Sequence, residues 1–471
     1  MRSGGFHRVR YVLAVLILSL VSSPIQYFCP TSATGVSAQS APQELEAFQG
    51  YLDAAPDGMD VRYAWSLPGG RGENVTIVDV EINWNLRHND LAAAAADPVV
   101  LVRGSDPNPD INIDHGTAVL GELFAAPDGI GVTGIAHGAR MGLVSPLFDG
   151  SVPRLAEAIT RAARDLDPGD VVLIEAQSFA GPRLDPQTGR GLAPIEYENP
   201  VFDAIKAATS RGIVVVEPAA NGFDNLEHSA YGGAFDRTRR DSGAIMVGAG
   251  LPPAGLYGTG PDLARTEESN YGSRVDVQGW GRFVTTCGYG DLRREQGENN
   301  WYTDRFGATS AAAAMVAGAA ALLQSIVKAR GQAPLSPIQL RRLLTLTGTP
   351  QTGNLSEHIG PRPNLRAAID ALDSAVATEP RITSLKLKGS SGKLIVDGEN
   401  FLPSDSIIEI GGTAVTKLKY PSAYFVPNGG TTRIMTKRDV TAMLPRGVDV
   451  PITVFTPSTE RRSEAVIFRR D

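Results

Sequence analysis

The sequence predicts two folded parts in series, an α/β domain on a mainly parallel sheet followed by a small all-β domain. Three observations carry this. From Val61 to about Asp373, short β-branched apolar runs alternate with helical patterns, the signature of a sheet wrapped by helices. Near Glu379-Pro380 the helical periodicity stops, and short alternating strands separated by Gly, Pro, Ser and Asn continue to Asp471. The 471 residues also exceed what one hydrophobic core ordinarily serves. The expected boundaries are 1–38 for a leader, 39–60 for a short N-terminal segment, 61–376 for the α/β domain and 380–471 for the all-β domain.

The leader carries Arg2, Arg8 and Arg10 before an apolar run from Tyr11 to Val21, too short to span a bilayer comfortably. A small-residue stretch ending Val36-Ser37-Ala38 follows, a cleavage site before Gln39, and Pro24 and Pro30 argue against an uncleaved anchor. The chain is therefore expected to be secreted or extracytoplasmic, with no stable membrane span after cleavage. Of the two cysteines, Cys29 would leave with the leader. Cys287 would remain as a single thiol in the stretch Thr286-Cys287-Gly288 and is read as buried and structural.

In the α/β domain the expected strands are Val75 to Val80, Met141 to Ser145, Val171 to Ala176, Ile213 to Glu217 and Ile245 to Val247. Each is a near-continuous apolar run, as covering on both faces requires. Helical patterns run from Leu155 to Leu166 and from Val201 to Ser210, the latter closed by Arg211-Gly212. A long helix rich in Ala and Gly is expected from Ser310 through Leu323, packed closely against its neighbours. In the all-β domain the candidate strands are Ile382 to Leu387, Lys393 to Val396, Ile407 to Ile410 and Val450 to Phe455. The formal net charge of -7 supplies no basic field, which excludes nucleic acid and an anionic membrane surface as partners. Arg341-Arg342 and Arg461-Arg462 are read as solvated faces.

Three segments place a catalytic type of residue where α/β sheets present them. Val75-Thr76-Ile77-Val78-Asp79 is a buried strand ending on a carboxylate. In Asp114-His115-Gly116-Thr117-Ala118, one of only six histidines opens a helix. In Phe306-Gly307-Ala308-Thr309-Ser310-Ala311, a serine heads a nonpolar helix. Each has a bland alternative, a turn aspartate, a structural histidine and an N-cap serine.

Taken in order, Asp, His and Ser in these contexts resemble the subtilisin-like serine peptidases, or subtilases, over roughly Val61 to Asp373. The resemblance implies a three-layer subtilisin-like fold and a catalytic triad of Asp79, His115 and Ser310. Ile213 through Gly222 resembles the family strand that ends in Ala-Gly-Asn, which makes Asn221 the side-chain oxyanion donor. Ile174 through Pro182 resembles the substrate-lining strand, and the implied substrate-binding residues are Ser178, Phe179, Ala180, Gly181, Ala219, Ala220 and Ala308. In this reading His115 is the base, Asp79 fixes its tautomer, and the Ser310 N–H and the Asn221 amide bind the oxyanion.

The sequence departs from the family pattern at Val80-Glu81, where Thr-Gly is usual, at Ala118, where a second His is usual, and at Ala314, where Pro is usual. The first two are read as flanking the triad without belonging to it. Ala180, Ala220 and Ala308 stand where the family usually has glycine; their methyls are expected to narrow the substrate cleft if the backbone tolerates alanine and to weaken activity if it does not, the alternative being backbone shifts that reopen the cleft. The chemistry requires no cofactor. Structural calcium is left open, because no loop has an unambiguous spacing of oxygen ligands.

The C-terminal segment, with Pro380-Arg381-Ile382-Thr383-Ser384 and Gly398-Glu399-Asn400-Phe401-Leu402-Pro403, resembles an immunoglobulin-like domain of the IPT/TIG type. Such a domain implies a spacer or a surface- or substrate-binding role. The expected function is a secreted serine endopeptidase acting on protein or peptide substrates through an acyl-enzyme. The alternative is a catalytically silent surface-binding protein of the same fold. An esterase is disfavoured because Gly307-Ala308-Thr309-Ser310-Ala311 lacks the Gly-x-Ser-x-Gly elbow.

Overall fold

The computed structural model describes residues 44–103, 113–148, 153–254, 260–375, 380–402, 405–421, 431–456 and 461–471. The leader, its cleavage site and Cys29 lie outside the described residues. The chain divides into two compact units, one ending at Ala368 and the other running from Ile369 to Asp471.

The first unit contains the strands β1 (Thr76–Val80), β2 (Leu101–Val102), β3 (Arg140–Val144), β4 (Val171–Ile174), β5 (Gln177–Ser178), β6 (Ala193–Pro194), β7 (Val214–Pro218), β8 (Ile245–Gly250), β9 (Val277–Trp280), β10 (Val284–Cys287) and β11 (Tyr302–Phe306). Seven of them form one sheet in the order β2-β3-β1-β4-β7-β8-β9, every pair parallel. Each strand predicted in this part lies in that sheet, and β2 and β9 join it unanticipated. On one face Val78, Val80, Val172, Ile174 and Val215 pack against Ala158, Ile159 and Ala162 of the Leu155–Ala163 helix and Val201, Ile205 and Ala208 of the Asn199–Ser210 helix. Gly212, with φ of 84°, closes the second of these helices in the left-handed conformation that glycine adopts freely.

The opposite face is covered by the Ala308–Ala329 helix, which lies against β4, β7, β8 and β9. It is long and apolar enough to cross a membrane, but 94% of its apolar window is buried inside this unit, so it serves as the central core helix. The Ile113–Phe124 helix packs against it and against β10. From β1 the chain runs out to the edge strand β2, returns through β3, and then crosses to place β4 on the other side of β1. The crevice beyond the C-terminal ends of β1 and β4 is therefore the switch point where α/β sheets gather functional groups.

The segment before Val61 is part of this core. Gln49, Tyr51, Leu52 and Met59 are buried, the Tyr51 hydroxyl donates to the Thr285 carbonyl at 3.0 Å, and Trp280 Nε1 donates to the Asp57 carbonyl at 3.2 Å. Arg341, read from the sequence as a solvated face, is 7% exposed and forks onto Asp241 at 2.9 and 2.6 Å. The amphipathic helix Pro337–Thr347 buries Arg341 beside Leu340 and Leu344, and the carboxylate neutralises it.

The second unit is all-β apart from its first helical residues and short turns. Its strands are β12 (Arg381–Lys388), β13 (Lys393–Phe401), β14 (Ile407–Ile410), β15 (Thr413–Val415), β16 (Leu418–Lys419), β17 (Thr431–Thr436), β18 (Asp449–Thr456), β19 (Arg461–Arg462) and β20 (Val466–Arg469). They form two antiparallel sheets, β12-β13-β17-β16 and β15-β14-β18 with β19 and β20. Leu394, Val396 and Ile434 of the first meet Ile408, Ile410, Ile452 and Val454 of the second in one core.

Candidate active site

Side chains alternate along a strand, so Asp79 shares a face of β1 with Ile77 and Glu81, opposite to Val78 and Val80. That face looks toward the two buried helices carrying His115 and Ser310. Asp79 sits deep, fully buried, with Oδ2 accepting from Trp84 Nε1 at 2.7 Å and Oδ1 without a partner among the described residues. Glu81, one step beyond the strand and one methylene longer, reaches His115, its Oε2 lying 2.5 Å from Nδ1. Its Oε1 accepts from the Ile82 N–H at 2.6 Å. The structure thus gives the imidazole a different carboxylate from the one the motif suggested: Glu81 adjoins His115, and Asp79 is held by an indole beneath it.

His115 is the third residue of its helix and is 23% exposed at the side chain, with the Phe306 ring edge-on at 5.4 Å between centroids. Nδ1 is engaged by Glu81, and among the described residues Nε2 has no hydrogen-bond partner. Burial alone would lower the imidazole pKa, but the charge and hydrogen bond of Glu81 outweigh it and leave the value raised above 6.5. Asp79 is pushed well above the usual carboxylate range by burial and by the Glu81 charge, against the pull of the Trp84 N–H.

At the head of the Ala308–Ala329 helix the unpaired N–H groups can be accounted for one by one. Ala308 N donates to Gly281 O at 2.8 Å, Thr309 N to Asn221 Oδ1 at 3.2 Å, and Ala311 N to Gly307 O at 3.4 Å. The Ser310 N–H is left without a partner among the described residues. Thr309 Oγ1 also donates to Asn221 Oδ1 at 2.7 Å. With its oxygen held twice, the Asn221 amide turns its NH2 group away from Thr309, and the Asn221 backbone N–H is fixed by Gln177 Oε1 at 3.0 Å. Gly307 is required by space, since a Cβ there would lie 2.5 Å from Gly281 O.

Asn221, Ser310 and His115 are all part-exposed, as an accessible site requires. Of the residues expected to line the cleft, Ala180 is exposed, Phe179, Gly181 and Ala308 are part-exposed, and Ser178 is buried with Oγ donating to Glu198 Oε1 at 3.0 Å. Ala219 and Ala220 are fully buried. The Ala220 methyl therefore points into the protein, and the expected narrowing of the cleft does not arise there. Ala220 and Ala308 both hold a left-handed backbone, at φ of 70° and 57°, the region that glycine adopts most freely.

Cys287 is fully buried and free, as expected from its setting, and burial followed by the Asp90 charge raises its thiol. It comes together with His88 and Asp90, their ligand-type atoms within 4.8 Å of one another. Protein groups already satisfy the other two. His88 Nε2 meets Trp301 O at 2.9 Å and Nδ1 accepts from Asp90 N, while Asp90 accepts from Tyr302 Oη at 2.6 Å and Val132 N at 2.9 Å.

An extracellular serine protease of Aeromonas sobria is 26% identical to this chain over 327 residues, 62% of this chain and 51% of that protein, so the chain spans about half the length of this relative. Among solved structures, the prenylagaramide maturation protease PagA is 20% identical with a TM-score of 0.47, covering 66% of this chain and 98% of that one. A lanthipeptide protease is 18% identical with a TM-score of 0.47, covering 69% and 96% respectively. The sequence profile of the subtilase family matches residues 70–361. With that profile matched over more than half of its length, the chain belongs to the subtilase family.

Proposed function

We propose that the chain is a secreted serine endopeptidase in which His115, oriented by Glu81, activates Ser310. The observation that carries this reading is the Glu81 to His115 contact at 2.5 Å, which occupies Nδ1 and leaves Nε2 as the free ring nitrogen. A serine hydroxyl is a poor nucleophile until a base removes its proton, and His115 Nε2 is that base. As Ser310 Oγ attacks the peptide carbonyl, the proton passes to His115, whose positive charge Glu81 stabilises. The tetrahedral oxyanion is met by the Ser310 N–H and the Asn221 NH2 group, and the helix N-terminus adds favourable charge. Collapse expels the amine with the proton from His115, and water repeats the sequence to release the acyl group.

Asp79, the triad acid of the motif pattern, serves in this reading beneath the site, its bond to Trp84 fixing the turn that carries Glu81. Secretion is supported by the leader pattern and by the Aeromonas relative, which is an extracellular protease. The all-β unit is proposed to be an IPT/TIG-like spacer or binding module, a reading supported by its two-sheet core. Incubating the purified chain with a fluorophosphonate probe and mapping the adduct tests the assignment. Modification of Ser310 that vanishes in Ser310→Ala supports it, and labelling that survives the substitution removes Ser310 from the mechanism. Asn221→Ala should lower turnover by about 10²–10³.

A further inference from the structure

The turn that carries Asn221 is held from two sides. Ala220, just before it, stands in the left-handed region with φ of 70°, where an alanine is strained and stays only if its surroundings hold it. Asn270, fully buried, takes one side, donating its backbone N–H to the Ala220 carbonyl at 3.0 Å and Nδ2 to the Ala219 carbonyl at 2.8 Å. Gln177 takes the other, its Oε1 accepting from the Asn221 N–H at 3.0 Å. The Ala220 carbonyl and the Asn221 N–H are opposite edges of one peptide plane, so the two contacts together fix its rotation. Gln177 belongs to β5, which pairs with β6 and leads into the segment expected to line the cleft. Among the described residues the bond to Asn221 is the one hydrogen bond that its side chain makes. Both residues are part-exposed, so water could serve this N–H equally well. A side chain anchored on a separate strand does what water does not, which is to give the peptide one direction.

We propose that Gln177 is a positioning residue for the oxyanion site, fixing the Ala220–Asn221 peptide and with it the line along which the Asn221 NH2 group meets the developing charge. The inference rests on Asn221 being the oxyanion donor. Thr309, at the head of the nucleophile's helix, holds the Asn221 side chain by its oxygen, and Gln177 holds the backbone of the same residue. The donor is thus set between the helix of Ser310 and the strand that leads into the cleft. No step of acyl transfer requires the Gln177 contact to break, so it acts throughout turnover. Without it the peptide is free to rotate, Ala220 relaxes out of the left-handed region, and the amide keeps only its ties to Thr309. An oxyanion donor works by being in place before the charge forms, so that freedom is a direct loss of rate.

The test is a double-mutant cycle in the full chain, with Gln177→Met, Asn221→Ala and the two combined, and with Gln177→Leu in place of the methionine variant should that one fail to accumulate. The readouts are kinact and KI for a fluorophosphonate, whose phosphoryl oxygen takes the place of the oxyanion. Gln177→Met alone should lower kinact about tenfold with KI unchanged. In the Asn221→Ala background the same substitution should change kinact by no more than about twofold, because the group it positions is already gone. Wild-type kinact in Gln177→Met would overturn the proposal. So would the same fold-loss in both backgrounds, which would mark a structural role that does not act through Asn221. Wild-type kinact in Asn221→Ala alone would instead remove Asn221 as the oxyanion donor, the reading beneath the proposal.

Discussion

Asp79 and Glu81 are two carboxylates on one face of one strand, and burial and distance give them different work. Glu81 touches the imidazole and holds its pKa up, so the acid limb of kcat/KM is expected above 6.5, the ordinary histidine value. Below that limb His115 is protonated and cannot accept from Ser310. Glu81→Gln removes the charge and leaves burial, which acts downward, so the limb should move to lower pH while turnover falls by about 10²–10⁴. Asp79→Asn should leave the limb in place and cost far less activity. A pH–rate series on both variants decides, and the reverse ranking would return the orienting role to Asp79. The sequence displayed both acids, and it displayed Glu81 at a position where the family pattern has glycine, which was the available signal. What it could not display was which of two same-face side chains reaches His115, because that depends on one methylene and on Trp84 capturing the shorter acid from the following turn.

At the scale of elements, the sheet strands and the core helix were legible because apolar runs and small-residue periodicity reflect burial directly. The helix head was less so. The expected start was Ser310, and the helix begins two residues earlier, at Ala308, which itself holds a left-handed backbone, a state that alanine composition does not announce. That conformation costs an alanine about 1–2 kcal/mol, partly offset by the smaller entropy loss of alanine on folding. Ala308→Gly should accordingly stabilise the chain by about 0.5–1 kcal/mol in chemical denaturation while leaving Ser310 reactive. A less stable variant would show that the methyl packs more favourably than its backbone is strained.

The whole molecule keeps an unusual number of acids out of water, with Asp79, Glu122, Glu175 and Glu217 all raised well above their ordinary values, burial being the first cause in each. Glu122, on the core-facing side of its helix, has no partner for either oxygen among the described residues. A raised carboxyl is protonated in the folded chain while its unfolded counterpart has already ionised. Its contribution to stability is therefore fully present below about 4.5, the ordinary value, and is lost as pH rises through the folded pKa. Over that window each pH unit costs about 1.4 kcal/mol per group. Glu122→Gln cannot ionise, so its advantage over wild type in unfolding free energy should be small at acid pH and grow toward alkaline pH; a difference that does not vary with pH would mean that Glu122 does not titrate on unfolding. Less legible was the segment before Val61, which shows no periodicity and yet enters the core through Tyr51 and Leu52. Its burial limits where the N-terminus can be trimmed. A protease that removed the chain up to Val61 would strip Trp280 of its Asp57 acceptor and Arg362 of two carbonyls, those of Pro56 and Asp57. Leu45, buried and donating its N–H to the Gly131 carbonyl at 2.6 Å, is where this anchored segment begins, and a version that starts at Val61 should fail to accumulate as folded protein.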